Sequence, residues 1–290
     1  MKKPIFKKVT VVGVGLLGGS IGLSVKAADE RIGVVGVGRR SSSLDRALDA
    51  GAIDEATLST SDGVAGADMI VLATPLGAYE KHLLAMRDAL SSGAVVTDVG
   101  STKSVAVRLA EGILGKGGPF VGSHPMAGSE RRGVQFAKAD LFAGATCIVT
   151  PTARTRPAAT RKALQFWKML GGLTVRMSPA SHDRAVARVS HLPHVLAALI
   201  VAGQKVGDLT LAGRGFLDTT RIASADPEMW RDIILTNRKP LLNAIDAADE
   251  QLIRLRDLID LGDAAGIRRY LTSAKKRRDK LLARRMRQEE

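Results

Sequence analysis

Cysteine is nearly missing from this sequence. A single residue, Cys147, in 290 excludes an internal disulfide and leaves nothing for a cysteine-ligated zinc site. Aromatic residues are also scarce, at 3% of the chain, too few to stack a line of nucleic-acid bases. No uninterrupted run of about 18 uncharged apolar residues occurs, so no membrane span is expected. The basic residues 1–8 lead into an apolar stretch cut by glycines, with no small-residue cleavage site. No signal peptide is therefore read, and the cytoplasm is the expected compartment. Acid is in deficit: 29 Asp and Glu face 43 Lys and Arg, for a net charge of +14. Residues 268–290 hold ten of the bases and only three acids, so about half of the surplus belongs to one terminal segment. That segment reads as the solvated face of a helix rather than a nucleic-acid site, while a cationic body suits small anionic substrates.

What is present is globular: 45% hydrophobic and 25% charged residues, with a length that suits two ordinary domains. Up to about residue 178, apolar β-branched runs (9–12, 33–37, 69–73, 94–99, 120–121, 145–150 and 173–176) alternate with stretches long enough for crossover helices. Runs apolar at every position suit parallel strands covered on both faces. The expected fold is α/β, a doubly wound Rossmann-type parallel sheet over 1–178, followed by an all-α domain over 179–290. Helices are expected over 185–204, 227–261 and 263–288, with Ser178-Pro179 and Asp226-Pro227 as starts and a loop over 207–220. The apolar faces of the helical half (Leu235, Leu241, Leu242, Ile245; Leu252, Leu255, Leu258) suit burial against a second copy, so a homodimer through that domain is expected.

The strongest local signal is the spacing Gly13-x-Gly15-x-x-Gly18 directly after an apolar run. Gly13 permits a tight turn, Gly15 lets a pyrophosphate approach the backbone, and Gly18 lets the helix pack on the strand; Leu16 and Leu17 open that helix. At the tip of the second strand an acid would bond the adenosine ribose, but Gly38 is followed by Arg39, Arg40 and Ser41, with no acid before Asp45. Two guanidiniums favour a 2′-phosphate, so NADP is the preferred cofactor and NAD the alternative. Thr74 and Pro75, after the third strand, are expected in the same cleft.

Two further strand ends converge on that edge: Asp98 to Lys103 (DVGSTK) and Gly122 to Gly133 (GSHPMAGSERRG). From position alone His124 is either a structural residue or a group that accepts a hydroxyl proton while hydride leaves the same carbon. With Ser190 to His194 (SHLPH), Gly213 to Arg221 (GRGFLDTTR) and Asp226 to Trp230 (DPEMW), these motifs resemble the prephenate and arogenate dehydrogenases of tyrosine biosynthesis. The resemblance spans roughly residues 9–230 and continues as a similar helical C-terminus.

That resemblance implies oxidative decarboxylation of prephenate or arogenate, with hydride passing to NAD(P) and CO2 leaving, to give 4-hydroxyphenylpyruvate or tyrosine. It implies His124 as the group that bonds the ring 4-hydroxyl and Ser101 as its assistant. His194 and Arg221 are implied as substrate contacts, Arg221 holding a carboxylate, with Glu130 and Trp230 as further pocket members. A dicarboxylate needs a fixed cation, and arginine's planar fork meets a carboxylate bidentately. Competing readings are another two-domain dehydrogenase or imine reductase, and an inactive dinucleotide sensor whose basic tail binds nucleic acid. Trp230 could equally be core, and Glu130 could merely pair with Arg131 or Arg132. His191 and His194 have metal-like spacing but no third ligand nearby, so no metal is expected. His191 reads as a structural histidine, His82 and His182 as surface positions, and Cys147 as inert.

Overall fold

The structure is a computed structural model, and it describes residues 5–115, 118–129 and 131–289, without the side chains of 284–289. The strands are β1 (Lys8–Val12), β2 (Gly33–Val37), β3 (Glu55–Thr57), β4 (Met69–Leu72), β5 (Val95–Asp98), β6 (Phe120–Pro125), β7 (Thr146–Thr150) and β8 (Leu173–Arg176). Between them run α1 (Leu16–Ala28), α2 (Ser41–Asp49), α3 (Thr60–Val64), α4 (Tyr79–Met86), α5 (Ser104–Leu114) and α6 (Pro157–Met169). The sheet order is β3-β2-β1-β4-β5-β6-β7-β8. Strand order reverses between β1 and β4, and the crevice beyond their carboxyl ends is where such sheets bind ligands.

Alternation along the strands builds two cores, one on each face. Val9, Val11, Met69 and Val71 join the cluster with Phe6, Phe166 and Trp167. Val12, Ile70 and Leu72 join Tyr79, Leu83 and Met86 on the other side. The central strands β1 and β4 are covered on both faces, so their sequences read as nearly unbroken apolar runs rather than alternation, and the one polar residue, Thr10, donates to the Gly63 carbonyl.

The sheet departs from all-parallel at one junction, where β7 pairs antiparallel with β6. Among the described residues the helical content of the link between them is a 3-10 turn, Val134–Phe136, and without a crossover helix the chain returns in the opposite sense. Helix α6 restores the crossover, and β8 is parallel to β7. The short strand β3, absent from the sequence reading, extends the edge beside β2 over three residues.

The helical half contains α7 (Pro179–Val186), α8 (Leu192–Ala202), α9 (Arg214–Thr220), α10 (Pro227–Thr236), α11 (Arg238–Asp260) and α12 (Ala264–Glu289). Ser178 caps α7 by accepting the Ser181 amide, and Asp226 caps α10 by accepting that of Met229. A π-helical turn, Ala187–His191, joins α7 to α8. Pro193 offers no N–H to the carbonyl four residues back, and the wider turn accommodates that loss. The expected loop over 207–220 is partly helical, since α9 occupies its second half. The expected helix over 227–261 is two helices, because Pro240 cannot bond the Thr236 carbonyl and Asn237 leaves the helical conformation.

By length and composition Pro179–Ala202 could cross a membrane, which the sequence reading did not anticipate. It is, however, three pieces, and its His182, Asp183 and His191 are buried within the protein. The chain forms two compact units, residues 1–237 and 238–290. The second consists of α11 and α12, joined at a turn where Gly262 takes φ 64° and Asp263 accepts the Gly266 amide.

Candidate active site

The β1–α1 turn is shaped for a dinucleotide. Gly13 takes φ 97°, and a Cβ on Gly18 would overlap the Gly13 carbonyl oxygen, so strand and helix meet at the closest approach two backbones allow. A Cβ on Gly15, by contrast, meets nothing within 4 Å, and this glycine opens on the crevice. It lines a cavity of about 560 Å³ with Val14, Arg40, Ser43, Arg46 and Arg132. Leu16 and Leu17 start α1, Ser41 starts α2 after Arg39 and Arg40, and Thr74 and Pro75 follow β4. The Thr74 hydroxyl is buried without a hydrogen-bond partner among the described residues. An open glycine, a guanidinium-lined cavity and an unsatisfied hydroxyl fit a nicotinamide dinucleotide.

At the ends of β5 and β6 lies a buried ion pair. The Lys103 ammonium contacts Asp98 and donates to the Ser123 carbonyl at 2.8 Å. Asp98 also accepts from the Ser123 amide at 2.8 Å, the Gly100 amide at 3.0 Å and the Tyr79 hydroxyl at 3.0 Å. Lys103 and Asp98 are both fully buried. Burial pushes the Lys103 ammonium below the usual lysine range, with Asp98 opposing. Removing either partner of such a pair typically costs about 3–5 kcal/mol, because a lone charge is left behind. The pair locks the strand that carries His124, and Ser101 sits half-buried on the turn between Asp98 and Lys103.

His124 is itself buried, and a chain of contacts runs back from it into the helical part of the first unit. Its Nδ1 lies 2.9 Å from His182 Nε2, and His182 Nδ1 lies 2.8 Å from Asp183 Oδ1. Asp183 also accepts the amides of Lys103 and Ser104, both at 2.8 Å. The Asn237 amide group donates to the Asp183 carbonyl at 2.9 Å and to His191 Nδ1 at 3.0 Å. The His191 ring meets Trp230 edge-on, and Trp230 stacks on His194 with centroids 3.3 Å apart. Five residues, His182, Asp183, Asn237, His191 and Trp230, thus connect His124 to His194.

Electrostatics along this chain favour neutral imidazoles. Burial, then the neighbouring His182 and Lys103, hold His124 well below the usual histidine range. Burial lowers His182 too, against the pull of Asp183. Burial opposes ionisation of Asp183, but hydrogen bonds from His182 and Ser104 win and hold its carboxyl at about 2. Burial, then His182, brings His191 to about 4.

The residues implied by the resemblance differ in what surrounds them. His194 Nε2 is buried and unpartnered among the described residues, while Trp230 is half-buried as its stacking partner. Neither His191 nor His194 takes a metal-like arrangement: one is bonded to Asn237 and the other lies on an indole. Arg221 is exposed and opens a 3-10 turn, Arg221–Ser224. Among the described residues no hydrogen bond joins Ser101 to His124. Glu130 lies outside the described residues.

Two sequence expectations are corrected. His182 is fully buried rather than on the surface, because α7 carries it against β6. His82 is also buried, bonded to Thr60 at 2.9 Å, and burial, then Lys81 and Arg39, lower it from the usual histidine range. Lys103, Asp183 and Asn237 escaped sequence reasoning as site residues. The adjacency of His182 and Asp183 just after a capped helix start was the signal for Asp183, and Lys103 closes the DVGSTK segment.

Residues 21–176 match the family model for the prephenate dehydrogenase nucleotide-binding domain, and residues 178–273 match that for the prephenate dehydrogenase dimerization domain. A prephenate dehydrogenase of Bacillus subtilis is 36% identical over 283 residues, covering 94% of this chain and 76% of that protein. The structure of Aquifex aeolicus prephenate dehydrogenase in complex with hydroxyphenyl propionate and NAD+ superposes with a TM-score of 0.90. It is 35% identical and covers 97% of this chain and 100% of its own. Synechocystis arogenate dehydrogenase gives a TM-score of 0.82 at 32% identity, covering 94% of this chain and 99% of its own.

Proposed function

The chain belongs to the prephenate dehydrogenase family, and from that premise we propose that it oxidatively decarboxylates prephenate or arogenate with a nicotinamide dinucleotide as oxidant. The observation that carries this reading is His124, a buried imidazole kept neutral near the end of β6 and bonded to His182, in a sheet whose β1–α1 turn is fitted to a dinucleotide. His124 takes the proton of the ring 4-hydroxyl, and a neutral imidazole is the form that can accept it. The bound nicotinamide supplies the hydride acceptor for C4. The C1 carboxylate then leaves as CO2, and its electron pair completes the aromatic ring. Ser101 assists at the hydroxyl, and Arg221 holds a substrate carboxylate. His194, flat on Trp230 with a free Nε2, offers a further polar contact.

NADP is our preferred cofactor. Arg39, Arg40 and Ser41 stand where an acid would select NAD, and Arg40, Arg46 and Arg132 line the cavity at Gly15. The second reading is NAD, the dinucleotide in the Aquifex aeolicus complex. The reading divides the work between a nucleotide-binding half, residues 1–178, and a helical half, residues 179–290. Leu196, Leu199 and Val201 on α8 are exposed in the protomer, and their cover in a homodimer is a second copy of the chain. A cytoplasmic location suits a reaction drawing on the nicotinamide pool.

The test is reduced-nicotinamide formation by the purified chain in a two-by-two assay of prephenate or arogenate with NAD or NADP. Turnover in any combination supports the reaction class, and the ratios choose substrate and cofactor. Silence in all four with the cofactor still bound would overturn the proposal in favour of another dehydrogenase or of a sensor.

A further inference from the structure

A proton acceptor at His124 needs one ring nitrogen without hydrogen, and the side chains behind it decide which. Asp183 accepts the amides of Lys103 and Ser104, so its carboxylate is held at the start of α5 and can only accept. Facing it at 2.8 Å, His182 Nδ1 must carry a hydrogen; the other tautomer would set lone pair against lone pair. In a neutral His182 the Nε2 is then bare, and across 2.9 Å it must receive hydrogen from His124 Nδ1. We infer that Asp183 and His182 are positioning residues that hold His124 in the tautomer with hydrogen on Nδ1 and the lone pair on Nε2. This rests on the reading of His124 as the proton acceptor.

The arrangement acts before and after proton transfer. Before it, the pair fixes both the orientation and the basic nitrogen of His124. After Nε2 takes the substrate proton, the Nδ1 hydrogen is shared with His182 Nε2, and the positive charge moves toward the Asp183 carboxylate. Protonation of His182 before the reaction has the opposite result: its Nε2 then donates, and the bare nitrogen of His124 faces the wrong way. The charges around the pair are Asp183 on the same helix, Lys103 from the β5–α5 turn, Asp98 from β5 and His191 from the π turn. His182 lies 58 residues from His124, and no motif links the two.

The test uses the full chain carrying 15N-labelled histidine, with His124 assigned by the loss of its signals in His124→Asn. The wild type is expected to show hydrogen on His124 Nδ1, and hydrogen on Nε2 would overturn the inference whatever the enzyme turns over. Two variants then separate positioning from packing. His182→Gln keeps an acceptor near Nε2, whereas His182→Phe keeps the ring shape without one. We expect His182→Phe to lower kcat about a hundredfold or more, with KM nearly unchanged and His124 shifted to the other tautomer. His182→Gln should stay within about tenfold of the wild type. A Phe variant as active as the Gln variant would make His182 a packing residue and refute the inference. If the wild type turns over neither substrate, the proposed function fails, while the tautomer is still read from the spectrum.

Discussion

Acidification should destabilise this protein through a histidine that plays no part in proton transfer. His191 is 1% exposed, and its Nδ1 accepts a hydrogen bond from Asn237 at 3.0 Å, so protonation there would break that bond and bury a charge. Burial and then His182 bring its folded value to about 4, against about 6.5 in an unfolded chain. A histidine lowered in this way contributes its full stability above the unfolded value. That contribution is lost as pH falls from about 6.5 to about 4, because over this window the unfolded chain binds a proton that the native chain does not. Between about pH 7 and about pH 5 the loss from His191 alone is about 2 kcal/mol, large against a total stability of about 5–15 kcal/mol. His182 is lowered for the same reason and adds in the same direction. The assay is urea unfolding at the two pH values, at one protein concentration, for the wild type and for His191→Asn, whose Oδ1 replaces the accepting nitrogen without titrating. The wild type should lose about 2 kcal/mol more than the variant on acidification. Equal losses would show that His191 protonates without cost in the folded chain and would refute the reasoning.

Four further outcomes are expected. His124→Ala should lower kcat by about two decades or more while cofactor affinity, followed by fluorescence titration, hardly changes; an unaltered rate would remove it from the mechanism. Arg221→Ala should act on substrate affinity, raising KM about tenfold to a hundredfold, and a normal KM would mean that another cation holds the carboxylate. Replacing Arg39 with Asp and Arg40 with Ala should shift the ratio of kcat/KM values from NADP toward NAD, and no shift would place the 2′-phosphate elsewhere. Gly18→Ala should abolish measurable dinucleotide binding and lower the melting temperature, since its methyl group overlaps the Gly13 carbonyl; wild-type cofactor affinity would show that α1 can move aside.

The sheet was legible because its signals are local. Val9 to Val12, apart from the hydrogen-bonded Thr10, and Met69 to Leu72 are apolar because helices cover both faces, and the glycine spacing after β1 is set by backbone contact within one turn. The family motifs were legible for the same reason, each being a short segment at a strand or helix end. What escaped was set by distant partners. Asn237, at the break between α10 and α11, bonds Asp183 and His191, partners that its neighbours in sequence do not show. His182 looked solvent-facing because nothing within α7 shows that the helix runs beside β6. The antiparallel β7 was missed because a residue run does not reveal the direction in which a strand is laid down.

Residue order alone therefore determined the layered α/β architecture, the dinucleotide turn and the identity of the residues gathered at the strand ends. Only the tertiary structure decided which groups face His124. A side chain's protonation and tautomer depend on which groups face each nitrogen and on how much water is excluded around it. Here those groups, Asp183, His182 and Lys103, come from segments that meet only when the chain is folded.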